Sequence, residues 1–493
     1  MNYVSTRNNK LNATASQAIA NGISKEGGLF VPENIPNLCA ADFEALCKLD
    51  YKGRAKYILK YFLTDFSEEE IDYCVSGAYT ASFENDEPAP IAKLGKNINM
   101  LELWHGPTCA FKDLALQLLP YLLTTAANKV NFGKETVILV ATSGDTGKAA
   151  LEGFADVENT KIIVFYPSDG VSPMQKLQMD TQVGENVYVC AIKGNFDDAQ
   201  TGVKKIFTDK TIIEKLGNAN KLFSSANSIN WGRLVPQIIY YVSAYCDLIN
   251  NENLENGFNV VVPTGNFGNI LAAYYAKVMG VPINKLICAS NANNVLTDFI
   301  NTGVYDRNRS FYTTISPSMD ILISSNLERM LFELSGKDSD KVAALQAELA
   351  EKGIFEIDDT MKAQVKELFY GGCCDDEKTI STISKVFKEY GYLADTHTAV
   401  ALAVYEDYLK ATGDDIPVVI ASTASPYKFA KSVLSAIGEE LSEDEFAVLK
   451  KLSDKTKTEI PAPIKNLEKA TVRFKNIAEK QDMPEVVLNY LGL

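Results

Sequence analysis

From residue 136 onward the chain alternates short, almost wholly apolar runs with polar turns and amphipathic stretches. Residues 136–155 (TVILVATSGDTGKAALEGFA), 258–280 (FNVVVPTGNFGNILAAYYAKVMG) and 416–438 (IPVVIASTASPYKFAKSVLSAIG) each read as strand, polar turn and helix. Apolar runs without alternation suit strands buried on both faces. Further β-rich runs lie at 161–167 and 186–192, and 98–108 (INMLELWHGPT) predicts another short strand. Strands alternating with helices predict a mostly parallel sheet covered on both faces. Ligands of such sheets bind beyond the carboxyl ends of the strands, where all three polar turns fall. Residues 1–98 differ: 42–63 carries apolar residues at helical spacing, which predicts a separate, mainly helical unit. Residues 85–97, rich in Pro and charge, read as a linker, and 335–390 as charged helices with 371–377 (GGCCDDE) as a loop.

Composition narrows the function more than the fold. A length of 493 residues suggests two or three domains. The net charge of −15 argues against a general nucleic-acid binder, so any anionic ligand must be held by local groups. The nine cysteines are odd in number, without a CxxC pair, and the two histidines, His105 and His397, lie far apart. A zinc site is therefore not expected, and the cysteines read as reduced, small hydrophobic residues. The first residues lack the apolar run of a signal peptide and no run reaches membrane-spanning length, which points to the cytoplasm and away from a membrane.

The polar turns carry the candidate chemistry. In 264–269 (TGNFGN), Gly265 and Gly268 allow backbone N–H groups to turn inward at a helix start, a nest for one phosphate or simply a tight turn. In 142–150 (TSGDTGKAA) a nucleotide P-loop is excluded, because Thr142 stands where its first glycine would be and Ala149 follows Lys148. Ser143, Asp145 and Thr146 instead suit a carboxylate or hydroxyl, unless Ser143 or Asp145 only caps the helix. Residues 226–237 bring Asn227, Ser228, Asn230 and Arg233, either an anion site with a fork-shaped donor or a capped helix start. Thr423, after the last strand, could offer a neutral hydroxyl to a heteroaromatic nitrogen, or act as a cap.

Lys112 lies among Ala110, Phe111, Leu114 and Ala115 at the mouth of an apolar helix. A lysine held among apolar groups has a lowered pKa and can be a neutral nucleophile. Such a lysine together with a separate phosphate nest is what pyridoxal phosphate requires.

Taken in order, HGPTCAFKD (105–113), ATSGDTG (141–147), SANSIN (225–230) with Arg233, PTGNFGN (263–269) and STASPYKF (422–429) make the chain resemble the threonine synthase family in its longer form. YVSTRN and SQAIANGISKEGGLFVPE near the start resemble the N-terminal segment of that form, so the similarity runs from Tyr3 to about Leu441. Related enzymes of the same fold share the lysine and a glycine loop but not HGPTxAFKD with SANSIN. The resemblance implies a fold type II pyridoxal-phosphate enzyme: two open, mostly parallel α/β lobes with an additional, mainly helical N-terminal segment. The expected division is an N-terminal domain at 1–98, a large cofactor-binding domain from 99–134 and 250–493, and a smaller domain at 135–249. The implied reaction converts O-phospho-L-homoserine and water into L-threonine and phosphate by γ-elimination and β-hydration. Lys112 would be the Schiff-base lysine and the acid–base. Gly265, Asn266, Phe267, Gly268 and Asn269 would hold the cofactor phosphate, and Thr423 would face the pyridine nitrogen. Ser143, Asp145 and Thr146 would take the substrate's amino-acid end, and Asn227, Ser228, Asn230 and Arg233 its phosphate. Asn269 departs from some relatives, which have Asp there; this changes local charge but not the backbone nest. A phospholyase or a serine/threonine dehydratase of the same fold is the nearest alternative, and a non-catalytic relative the more distant one. His105 is either a helper near the phosphate or a packed ring, and His397 a helix-start residue.

Overall fold

The structure, a computed structural model, describes residues 1–84, 87–131, 133–168, 171–251, 254 and 257–493, without the side chains of residues 197 and 251. Residues 85 and 86 of the expected linker lie outside the described residues. Two α/β lobes face each other. The larger holds a six-stranded sheet in the order Phe369–Cys373, Ile283–Ser290, Phe258–Pro263, Val418–Ser422, Ile98–Glu102, Ile91–Leu94. Every pairing in it is parallel except that of the last two strands. The smaller holds a wholly parallel five-stranded sheet: Ile477–Glu479, Val187–Lys193, Thr160–Pro167, Glu135–Ala141, Lys221–Ser224. Strands Phe258–Pro263 and Val418–Ser422 are buried at every position, as sheets covered on both faces require.

The N-terminal segment contains helices Ala15–Asn21, Ala40–Cys47, Tyr51–Phe62 and Glu68–Ala78. Asp50 separates the second and third by capping the latter, its carboxylate accepting from Gly53 N at 2.7 Å. A small antiparallel sheet of Tyr3–Ser5, Asn8–Ala13 and Phe30–Pro32, invisible to helical periodicity, joins them.

The domain division needs three corrections, and the loop expected at 371–377 a fourth. Ile91–Leu94 forms a hairpin with Ile98–Glu102 in the large sheet, so the unit does not part at residue 98. Helix Trp231–Asn251 leaves the small lobe and packs on helices Tyr51–Phe62 and Gly268–Val278. The C-terminus returns to the small lobe: Ile477–Glu479 pairs with its edge, and Met483 and Val487 of helix Met483–Leu491 enter its core. Finally, Gly371 to Cys373 are not loop but strand, paired with Cys288 to Ser290. Helix Val295–Thr302 lies directly on that strand; a Cβ on Gly371 would sit 3.1 Å from Ile300 Cβ, so the glycine permits the approach.

Candidate active site

Five strand ends converge between the lobes: Glu102, Pro263 and Ser422 from the large sheet, Ala141 and Ser224 from the small one. The turns after them, with the first residues of the helices that follow, carry every candidate residue. The Lys112 turn is tied to the Thr423 turn by Phe111 N donating to Thr423 O at 2.8 Å and by a bridge between Ala110 and Ala424.

Lys112 is buried, and its Nζ lies 3.3 Å from Asp145 Oδ2, 3.3 Å from Ser318 Oγ and 4.7 Å from the centre of the Phe111 ring. Burial pushes its pKa below the usual lysine value; the repulsion of Lys428 and Arg233 adds to this, and Asp145 opposes it. Asp145 is not free for a substrate. Its Oδ1 accepts from Lys428 Nζ at 2.8 Å and Gln175 Nε2 at 2.9 Å, and its Oδ2 from Ser318 Oγ at 3.1 Å. Burial alone would raise Asp145, but Lys428 and Lys112 hold it well below the usual carboxylate range. It is a buried counter-ion between two lysines, a correction to its expected role at the substrate's amino-acid end.

Helix caps fall elsewhere than on Ser143, Thr146 and Thr423, whereas Asn230 is itself a cap. Thr142 Oγ1 accepts from Gly144 N at 3.0 Å and Gly147 N at 2.9 Å, which leaves the Ser143 and Thr146 hydroxyls without a hydrogen bond among the described residues. Ser425, not Thr423, caps the turn Pro426–Phe429. Asn230 caps helix Trp231–Asn251, its Oδ1 accepting from Gly232 N at 2.9 Å. Both N–H groups of Asn230 are also engaged, by Ile19 O and Ser225 O at 3.0 Å each, so this residue does not reach a substrate. That too is a correction: Asn230 ties the N-terminal segment to the site. Removing the side chain orphans two carbonyls and a backbone N–H. We expect Asn230→Ala to lose about 2–3 kcal/mol of stability, read by denaturant unfolding. The kcat/KM of folded protein should stay within about threefold of the original.

At the glycine turn Phe267 adopts a left-handed backbone, φ 62°, just before helix Gly268–Val278, aiming its first N–H groups into the site. Gly265 O accepts from Ser324 Oγ at 2.9 Å and Asn266 O from Asn326 N at 3.0 Å, which fix the turn from behind. A Cβ on Gly268 would point toward Asn326 Nδ2, Gln237 Nε2 and Ser228 Cβ, at 3.4, 3.8 and 3.9 Å. Thus the Ser228 turn borders the glycine turn. Three buried polar atoms here have no partner: Asn269 Nδ2, Asn326 Nδ2 and Asn227 Oδ1. The two unpartnered Nδ2 donors, of Asn269 and Asn326, beside inward N–H groups fit a bound anion of phosphate size, whereas Asn227 Oδ1 is an acceptor and adds nothing to that fit. Asn269 is fixed by its other end, where its Oδ1 accepts from the Tyr241 hydroxyl.

Arg233 is buried, donates to Ala226 O at 2.7 Å and makes no ion pair among the described residues. Burial pulls it down to about 10. A buried cation without a counter-ion is costly unless an anion joins it.

His105 takes the packed alternative. It stacks on Trp104 with centroids 4.1 Å apart, between Glu84 and Glu102 at 2.8 Å each. Burial opposes its charge, but the two carboxylates raise its pKa to about 9. Sequence reasoning missed Ser318, Gln175, Lys428 and Asn326. Lys428 alone stood within a quoted motif; its Nζ also donates to Thr108 O at 2.9 Å. No group of metal-binding side chains occurs among the described residues, and no described helix is long and apolar enough to cross a membrane.

Comparison with known proteins matches this arrangement. Residues 2–79 fit a family model described as the threonine synthase N terminus, 87–362 one described as pyridoxal-phosphate dependent enzyme, and 398–487 one described as threonine synthase, C-terminal. Threonine synthase of Pseudomonas aeruginosa is 37% identical over 437 residues, 88% of this chain and 90% of that protein. Human threonine synthase-like 1 is 40% identical over 434 residues, 86% of this chain, but the chain spans only 58% of that relative's length. The crystal structure of PLP-bound threonine synthase from Brucella melitensis superposes with a TM-score of 0.88 at 35% identity, covering 100% of this chain and 98% of that one. The two lobes with their N-terminal segment are therefore the fold type II architecture, and the chain belongs to the threonine synthase family of pyridoxal-phosphate dependent enzymes.

Proposed function

We propose that the protein binds pyridoxal 5'-phosphate on Lys112 and converts O-phospho-L-homoserine and water into L-threonine and phosphate. One observation carries this reading. The buried amine of Lys112 lies between a glycine turn that carries unpartnered amide donors and Arg233, a buried cation with no ion pair among the described residues; each suits an anion. One suits a cofactor phosphate and the other a substrate phosphate, which a simple dehydratase would not need. The family membership fits a biosynthetic enzyme, and a cytoplasmic location is part of this reading.

Gly265, Asn266, Phe267, Gly268 and Asn269, with Asn326 added to them, would hold the cofactor phosphate, and Thr423 would face the ring nitrogen. When bound, the cofactor supplies an aldehyde carbon for the substrate amine and an electron sink for the charge left by proton removal. Lys112 Nζ, its proton affinity lowered by burial, takes the α-proton and carries protons in the later steps. Asp145 keeps that amine oriented, while Lys428 on its other oxygen prevents the carboxylate from being left unpaired when Lys112 moves. Ser143 and Thr146 take the substrate carboxylate together with N–H groups at the start of helix Asp145–Phe154. Arg233, with Asn227 and Ser228, holds the phosphate as the γ-carbon–oxygen bond breaks. Water then supplies the β-hydroxyl, and the γ-carbon ends as a methyl group. A hydroxyl at Thr423, unlike a carboxylate, does not fix a proton on the ring nitrogen.

The test is phosphate release from O-phospho-L-homoserine by the cofactor-loaded protein, with threonine identified as the co-product; phosphate appearing with another product would reject the reading. Arg233 has its own test. A charge-assisted contact to phosphate is worth roughly 1.5–3 kcal/mol, so Arg233→Ala should lower kcat/KM by about tenfold to a hundredfold. Cofactor affinity and the binding of unphosphorylated homoserine should be unchanged. Loss of the cofactor instead would move Arg233 to the cofactor site. Normal phosphohomoserine binding would pass its role to Lys148 or Lys176. Of these Lys148 is already paired with Glu152 at 2.8 Å, and Lys176 is exposed.

A further inference from the structure

Behind the site lies a buried acid–imidazole pair that none of the steps above uses. Asp395 caps helix Thr396–Thr412, accepting from His397 N at 2.8 Å and Thr398 N at 3.3 Å. The same carboxylate meets the His397 ring, with Asp395 Oδ1 2.9 Å from Nδ1. The far side of the ring faces the active-site loop: Ser318 N donates to His397 Nε2 at 3.1 Å. Because Nε2 accepts a backbone N–H, the ring proton lies on Nδ1 and points at Asp395. Phe429 meets the ring edge-on with centroids 4.9 Å apart and holds its plane. A helix needs only the cap; it does not need a ring that reaches 79 residues back along the chain.

We infer that Asp395 and His397 form a positioning pair for the reaction, setting the Ser318 loop so that its hydroxyl meets Lys112 and Asp145. The chain of contacts is continuous. His397 Nε2 holds Ser318 N, and Ser318 Oγ lies 3.3 Å from Lys112 Nζ and 3.1 Å from Asp145 Oδ2. The Ser318 carbonyl forms the wall of the glycine turn, 2.7 Å from where a Gly265 Cβ would be. A second branch leaves the same carboxylate. Thr398 Oγ1 donates to Asp395 and accepts from Thr423 N at 3.3 Å. One buried carboxylate thus orients both the loop that touches the lysine and the turn that carries Thr423. His397 does not touch the reacting atoms. A shift of about 1 Å in a supporting loop is enough to slow catalysis by about a hundredfold.

The inference rests on the proposed function, and the experiment separates the two. Cofactor-loaded wild type, His397→Ala, His397→Gln, Ser318→Ala and the double variant His397→Ala/Ser318→Ala are compared with O-phospho-L-homoserine as substrate, with unfolding midpoints measured in parallel. His397→Ala should lower kcat by about tenfold to a hundredfold with KM within about threefold. His397→Gln, whose amide oxygen can accept the Ser318 N–H, should recover most of kcat. Ser318→Ala should also lower kcat, and the double variant should be no slower than the slower single variant, because both act through one contact. Inactive wild type would reject the functional reading. Active wild type with multiplicative losses, no rescue by Gln, or an effect on KM alone would overturn the inference. If His397→Ala does not fold, Ser318→Ala decides: unchanged kcat there overturns it, whatever His397 does for stability.

Discussion

Lys112→Ala should abolish turnover, by ~10⁴-fold or more, while leaving a folded protein. Removing a buried charge usually strands its partner, but here the partner is already provided for. Asp145 keeps Lys428 at 2.8 Å and Gln175 at 2.9 Å, so no carboxylate is left uncompensated. Stability should therefore change little although the site loses the group that links the cofactor and moves protons. Circular dichroism and unfolding midpoints check the first half, and single-turnover assays the second. Borohydride reduction of wild type followed by peptide mass mapping should place a pyridoxyl group on Lys112. An adduct on Lys428, the other buried lysine of the cluster, would transfer the role to that residue.

Gly265→Val should weaken pyridoxal-phosphate binding by about a hundredfold or more, through space rather than backbone angle. A Cβ there would lie 2.7 Å from Ser318 O and 3.4 Å from Met319 Cα, both backbone atoms that cannot rotate away. The loop carrying Ser318 must then move, and with it the contact to Lys112. Gly268→Val acts differently. Its Cβ has room, at 3.4 Å from Asn326 Nδ2, but the side chain would occupy the cradle beside the unpartnered amides. Cofactor titration of the apoprotein by absorbance measures both, and unchanged affinity in both would locate the phosphate elsewhere.

What the sequence discloses follows from how local each feature is. The buried strands announce themselves because a parallel sheet covered on two faces requires continuous apolar runs, and the polar turns after them are short and contiguous. Lys112 and the glycine turn are legible for that reason. Ser318, Lys428 and Asn326 were not, because their meaning lies in partners remote along the chain: Ser318 meets Asp145 across 173 positions and Lys428 meets Thr108 across 320. Asn230 shows the converse. An amide in a polar turn offers the same atoms to a substrate as to Ile19 O, and only folding decides. The return of Ile477–Glu479 to the small lobe was hidden because three residues carry no periodicity.

The central claim is that this site breaks the γ-carbon–oxygen bond of a phosphorylated amino acid and adds water at the neighbouring carbon. Turnover of O-phospho-L-homoserine by the cofactor-loaded protein in ¹⁸O-water, with products resolved by mass spectrometry, tests it most directly. The account predicts threonine bearing one ¹⁸O in its β-hydroxyl and phosphate without label, since the ester oxygen leaves with phosphorus. Labelled phosphate with homoserine would mean hydrolysis at phosphorus, and 2-oxobutanoate in place of threonine would mean elimination without hydration; either would contradict it.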